Sequence, residues 1–228
     1  MLALKLGMSI GGSNRPMGGW TPDSEGTDLV AWYKNKEGIT LNGSDVSAWA
    51  DSSSNSYDMV QATASEQPAY NASTGVLTFD SGDDNNLQTT GQISLSGTFT
   101  IGIKMYPTSF NNVVIADNTA DDEFMKITAN NKIRMKMDTG TSDFNLDSGT
   151  FGDDYIVFTR NGSNLITLYR NGVAQADTET KAGTVDIDCI GVRKTDVNAY
   201  EGTIEEIQIY DSTSAALTAN INTYLSTL

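Results

Sequence analysis

An all-β protein is predicted by three features of the sequence. Within Tyr155 to Gln175 (YIVFTRNGSNLITLYRNGVAQ), two apolar runs are each closed by Arg-Asn-Gly. Short segments of alternating apolar and polar residues recur along the rest of the chain, and helical spacing occurs only at the C-terminus. Asn-Gly between such runs is a strong hairpin signal, because the tight primed turn needs positive φ, which these residues tolerate. Two such reversals in succession give a three-stranded antiparallel meander, with no helical crossover.

Taken in order, Leu2, Leu4, Leu6, Met8 and Ile10 alternate with smaller or polar residues, the period of a half-buried strand. That segment reads as a first strand of the domain's own sheet, as an arm added to the sheet edge of a neighbouring subunit, or as a frayed tail. A Gly-, Pro- and Ser-rich loop follows from Gly11 to Gly26. Leu29 to Lys34 and Val46 to Asp51 are strand candidates separated by the turn Leu41-Asn42-Gly43-Ser44. Trp32 and Trp49 read as core residues, with sugar stacking as the alternative for one of them.

Pro68 to Tyr70 and Gly75 to Asp80 lead into an acidic loop. In the long strand that follows, Phe99, Ile101, Ile103 and Met105 face one way while Thr98, Thr100, Gly102 and Lys104 face the other. Val113 to Asp117 and Phe124 to Thr128 are shorter, and Ile133, Met135 and Met137 alternate with Lys132, Arg134 and Lys136. After the meander come Thr184 to Val192 and Gly202 to Tyr210. In the latter, parity slips between Ile204 and Ile207, and a bulge at Glu205-Glu206 restores an inward row. Leu217, Ile221, Tyr224 and Leu225 then have helical spacing, after caps at Thr213 or Ser214. Composition shows no break from Asp28 onward, so the chain divides into an arm and linker, 1–27, and one domain, 28–228.

The 228 residues carry 29 acidic against 14 basic side chains, a formal net charge of −15. Such a surface repels phosphate backbones and argues against nucleic acid as a partner. The sequence holds no histidine, which removes Ser-His and Cys-His nucleophiles and the usual zinc set. Cys189, the only cysteine, shares a face with Val185 and Ile187 and reads as a buried core residue. No apolar run is long enough to span a bilayer. The first ten residues lack the pattern of a cleaved signal peptide.

Asp80, Asp83, Asp84 and Asn85 cluster in one Gly-containing loop, with Asp121-Asp122 and Asp153-Asp154 as lesser pairs. Calcium takes six to eight oxygens from such loops. Turn chemistry, in which Asp and Asn bond the local backbone, is the alternative account. Glycoside hydrolysis needs two carboxylates flanking one bond. Adjacent Glu205 and Glu206 make poor partners, and Asp186 with Asp188, roughly 7 Å apart along a strand, reads as a solvated pair. Lys132, Arg134 and Lys136 form a basic row: either a charged outer face that discourages edge aggregation, or a contact to an acidic copy or an anionic glycan.

The ordered set LVAWYK, VSAWADSS with QPAY downstream, LTFDSGDDNNL, FTRNGSNLITLYRNGVA, YEGTIEEIQIYD and the closing TYLSTL resembles the laminin-G-like branch of the concanavalin A-like lectin/glucanase superfamily. The resemblance spans roughly Asp28 to Leu228. It implies a jelly-roll β-sandwich of two antiparallel sheets with a short C-terminal helix, and calcium near a rim of the sandwich. The Glu-x-Asp-x-x-Glu strand of the superfamily's β-glucanases is missing here, so no enzyme is expected.

Domains of this type also look like those of tailed-phage virion proteins. That likeness implies a non-enzymatic structural or adhesion protein in the virion, made in the host cytoplasm. It would be fastened through the Met1 to Ile10 arm to other virion proteins and to copies of itself as a homo-oligomer. No cofactor is required on this reading. The alternative is a carbohydrate-binding lectin module, calcium-dependent if the Asp80 loop is a metal site, with a cell-surface glycan as partner.

Overall fold

The structure, a computed structural model, describes residues 19–119, 124–193 and 198–228. The alternating arm Leu2, Leu4, Leu6, Met8 and Ile10, and the pair Asp121-Asp122, lie outside the described residues.

Strands occupy β1 Leu29–Tyr33, β2 Ile39–Asn42, β3 Asp45–Trp49, β4 Met59–Val60, β5 Ala69–Asn71, β6 Val76–Phe79, β7 Leu87–Leu95, β8 Phe99–Pro107 and β9 Asn112–Ala116. They continue through β10 Phe124–Ala129, β11 Lys132–Met137, β12 Gly140–Asn145, β13 Asp154–Arg160, β14 Leu165–Arg170, β15 Val173–Thr180, β16 Val185–Ile190 and β17 Gly202–Tyr210. The helix α1, Ala215–Leu225, closes the described chain. Among the described residues every strand pairing is antiparallel. One layer runs β1–β17–β8–β13–β14–β15. The other runs β12–β11–β10–β9–β16–β7–β4–β3–β2. β5 and β6 bridge them, pairing with β3 and β17 respectively. The result is the two-layered antiparallel sandwich that the hairpins imply.

The inward rows are those set by strand parity. Phe99, Ile101, Ile103 and Met105 of β8 meet Ile133, Met135 and Met137 of β11 in one continuous core. Ile156 and Phe158 of β13 and Ile187 of β16 belong to the same core. Phe144 and Phe158 cross edge-to-face at 5.2 Å between ring centroids. Each such side chain contributes roughly 1.5–3 kcal/mol by leaving water. Trp49 is fully buried, Trp32 nearly so, and neither presents a ring face for stacking. Cys189 is buried as expected.

The bulge expected at Glu205-Glu206 is present: register between β17 and β8 shifts from Ile204 to Glu206, and Ile204, Ile207 and Ile209 all point inward. Ser214 caps α1, its Oγ accepting from the Leu217 N–H at 3.0 Å.

One local expectation needs correction. Of the two Asn-Gly reversals of the meander, only Asn171-Gly172 is a two-residue primed turn, with φ of 49° and 80°. At the first reversal the loop holds Asn161 to Asn164, and positive φ falls on Asn164. There the Asn161 side chain accepts from the Ser163 and Leu165 N–H groups, so the side chain, not a glycine, sets the reversal. The structure also adds strands to those expected: β2 lies between β1 and β3 and forms a hairpin with β3, while β1 pairs with β17. β7 and β12 are strands as well, although the pattern in Leu87 to Leu95 and Gly140 to Asn145 gave no such expectation.

The outer face of the β1-to-β15 layer is covered by α1. Leu217, Ile221 and Leu225 pack on Trp32, Val157 and Tyr210. Gly102 makes this docking feasible, since a Cβ there would lie 2.8 Å from Ile221 Cγ2 and 3.2 Å from Leu225 Cδ1.

Candidate functional site

Seating α1 on this face leaves a groove of about 470 Å³ between the helix and the β13–β14 hairpin. One wall comes from the strands. Tyr155 and Tyr169 have the parity opposite to the inward residues Ile156 and Leu168, so both rings stand on the helix side and remain half-exposed. The turn glycine Gly172 closes the floor at φ 80°. A Cβ there would lie 3.5 Å from the Tyr155 hydroxyl and 4.0 Å from Asn222 Cβ, so a larger residue would both strain the turn and narrow the groove.

The other wall is the helix stripe bearing Thr218, Asn222, Thr223 and Ser226. It lies beside the apolar stripe that seats α1, one step round the helix. The hydroxyls of Thr218, Thr223 and Ser226 donate to the carbonyls of Ser214, Ala219 and Thr223 at 2.9, 2.8 and 2.7 Å. Their lone pairs are left as acceptors. Asn222 donates through Nδ2 to the Thr218 carbonyl at 2.8 Å. Its Oδ1 is buried and has no hydrogen-bond partner. The contact to Thr218 fixes the amide orientation, because the flipped form would press two oxygens together. A buried acceptor without a partner is unusual in a folded protein, and this one is closed to solvent beside a groove of ligand size.

The residues singled out in the sequence lie elsewhere. In the Asp80 loop, Asp80 Oδ1 accepts from the Gly82 N–H at 2.7 Å, and Asn85 Oδ1 accepts from the Asp80 N–H at 2.9 Å. Asp83 is exposed, and Asp84 sits at φ 53°. These are turn-forming contacts, and among the described residues no group of three acidic, histidine or cysteine side chains converges as a metal site.

Asp153 pairs with Lys104 at 2.6 Å, and Asp154 with Arg170 at 3.0 Å. Asp186 accepts from the Ser94 hydroxyl, and Asp188 from the Asn118 N–H and the Thr119 hydroxyl. Lys132, Arg134 and Lys136 do share the outward face of β11, where Asp143 grips Arg134 with contacts of 2.6 and 3.0 Å. Opposite Arg134, burial and the nearby Arg193 and Arg134 lower the Lys126 pKa.

Glu206 is buried. It accepts from Trp32 Nε1 at 2.7 Å, Gln208 Nε2 at 2.7 Å and the Asn35 N–H at 3.1 Å. Burial pushes its carboxyl up, against these donors, which pull it down. Glu205 is half-buried and its carboxyl is also raised, chiefly by burial.

The groove residues carry no local sequence motif. Tyr155 and Tyr169 read as meander positions, and the signal that could have found them is their outward parity beside a small, polar helix stripe.

Two antiparallel layers bridged by β5 and β6 define a jelly-roll β-sandwich domain. The chain belongs to the concanavalin A-like lectin/glucanases superfamily: the family model so described, Laminin_G_3, matches residues 80–220, more than half of the chain. No curated protein matches it in sequence.

Among solved structures, the chain is similar to the binding domain of Paraclostridial Mosquitocidal Protein 1 (TM-score 0.58, 14% identity, 88% of this chain and 52% of that one). It is also similar to domain 4 of AbnA, an extracellular GH43 arabinanase of Geobacillus stearothermophilus, in complex with arabinotriose (TM-score 0.53, 12% identity, 86% and 98%). A third is a Trypanosoma rangeli sialidase (TM-score 0.53, 11% identity, 88% and 33%). At these identities the likeness is one of fold. The chain spans about half of the toxin domain and a third of the sialidase. Among the described residues no helix is long and apolar enough to cross a membrane.

Proposed function

We propose that the protein is a non-catalytic carbohydrate-binding domain that takes its ligand in the groove between α1 and the β13–β14 hairpin. The observation that carries this reading is the pair of half-exposed tyrosine rings on one wall of an uncharged groove whose other wall is a stripe of small polar helix residues. Aromatic faces receive the C–H face of a sugar ring, while fixed polar groups set its orientation. Superfamily membership supports it, as does the arabinotriose held by AbnA domain 4, a chain of the same fold covered almost completely.

The acids give no competing account. Asp186, Asp188 and Glu206 are engaged by neighbouring donors. Calcium at Asp80, Asp83, Asp84 and Asn85 is not called on, so chelation is expected to leave binding unchanged.

A broad glycan array followed by calorimetry tests the proposal. Binding that is lost in Tyr169→Ala supports it, and silence across the array overturns it. The virion role, with docking onto neighbouring copies, rests on the Met1 to Ile10 arm. Deleting 1–12 and following assembly by size exclusion is its separate test.

A further inference from the structure

The groove beside Tyr155 and Tyr169 has a neighbour across the helix. On the far side of α1, Trp20 and Tyr224 flank a second groove of about 280 Å³. Thr223 lines both, with Ser226 beside it in the first and Thr227 in the second, so the two meet over the last turn of the helix. These three side chains are short and exposed, and their hydroxyls donate to helix carbonyls at 2.8, 2.7 and 2.6 Å. The ridge between the grooves is therefore low and polar.

Trp20 falls in the Gly-, Pro- and Ser-rich loop, yet its ring is fixed from two sides. The indole N–H donates to Glu25 at 2.6 Å, and the ring meets Tyr224 edge-on at 6.1 Å between centroids. It stays half-exposed, whereas Trp32 and Trp49 are buried. Trp20, Thr223 and Tyr224 lie outside residues 80–220, so the superfamily match does not account for this second aromatic wall.

We infer that the two grooves form one track for a linear oligosaccharide, with sugar rings on the tyrosines at one end, on Trp20 at the other, and crossing α1 at Thr223. This rests on the carbohydrate-binding reading of the first groove. A helix with its side chains is about 10–12 Å across, wider than one sugar ring, so a chain of about three units or more is needed to reach both walls. Linked contacts of this kind hold a ligand more tightly than either does alone. The favoured ligand is then a stretch of linear polysaccharide rather than a single sugar.

Calorimetry on the full chain with arabinan, cellulose and chitin oligomers, from disaccharide to hexasaccharide, tests the inference. In a series that binds, affinity is expected to rise by about tenfold or more from the shortest member to the longest. Trp20→Ala is expected to weaken the hexasaccharide by about threefold to tenfold and so to flatten that rise. Acrylamide quenching of tryptophan fluorescence gives a second readout that needs no variant: with Trp32 and Trp49 buried, the hexasaccharide should shield Trp20. Equal affinity at every length, unchanged affinity in a folded Trp20→Ala, or a Trp20 as open to quencher with the hexasaccharide as without it overturns the inference. The carbohydrate reading would then still stand on the loss of binding in Tyr169→Ala. Absence of binding to every series overturns both.

Discussion

The Trp32 indole N–H donates to Glu206 Oε1 at 2.7 Å, joining β1 to β17 across 174 residues of sequence. Because Asn35 and Gln208 donate to the same carboxylate, Glu206→Gln must turn an amide N–H₂ toward at least one donor. The expected loss is about 1–3 kcal/mol at neutral pH. The pH dependence carries a further signature. Burial holds the folded pKa above the ordinary 4.5, so between these values the folded state binds more protons than the unfolded one. This carboxyl's contribution therefore favours folding as pH falls through that window and disfavours it as pH rises. Urea unfolding across the window should show the wild-type advantage over Glu206→Gln shrinking as pH rises.

The Arg134–Asp143 pair behaves in the opposite sense. The arginine holds the Asp143 carboxyl below its ordinary 3.8, chiefly through their hydrogen bond. Its stabilisation is present above that value and is lost as pH falls through the depressed one. Both side chains are about a third exposed, so Asp143→Asn should cost under about 1 kcal/mol. The cost should vanish in acid and shrink in high salt, as read from chemical denaturation midpoints.

Gly102 is the seat of α1. Adding a side chain should lift the helix rather than break the sandwich, because the clashes are with Ile221 and Leu225 and not with the inner core. Gly102→Val is expected to destabilise by about 1–3 kcal/mol. Hydrogen exchange should accelerate first in Ala215–Leu225, and sugar affinity should fall with it.

Arg160 is fully buried and donates to the carbonyls of Gly97, Gly183 and Leu95 at 2.7, 2.6 and 3.1 Å, with its guanidinium 4.8 Å from the Phe99 ring centroid. Arg160→Met should leave three carbonyls unpaired and cost about 3 kcal/mol or more. Arg160→Lys should not rescue it, since an ammonium cannot reproduce the planar fork. Thermal unfolding of both variants checks this.

What could be read from the chain follows the reach of each interaction. The β8 alternation, the β17 bulge and the Ser214 cap depend on neighbours within a few residues, and all three stand as expected. β12 was hidden because its inward row contains Ser142 beside Phe144, a pattern too polar to register as a strand until β11 pairs with it. Arg160 read as part of a turn signal, although the structure uses it as a buried clamp. The groove was hidden for a related reason. Tyr155, Tyr169 and Asn222 acquire a common purpose only once α1 is laid over Gly102, a contact between segments more than a hundred residues apart.

The β1–β17 pairing also bears on biosynthesis. As the chain emerges from the ribosome, β1 is exposed long before its partner has been made. Its Trp32 and Leu29 must wait without shelter, and such a strand is open to pairing with another nascent chain. Ring closure through distant strands is slow as well as late. Yield in a host should therefore respond more to temperature and chaperone supply than to the stability of the finished molecule.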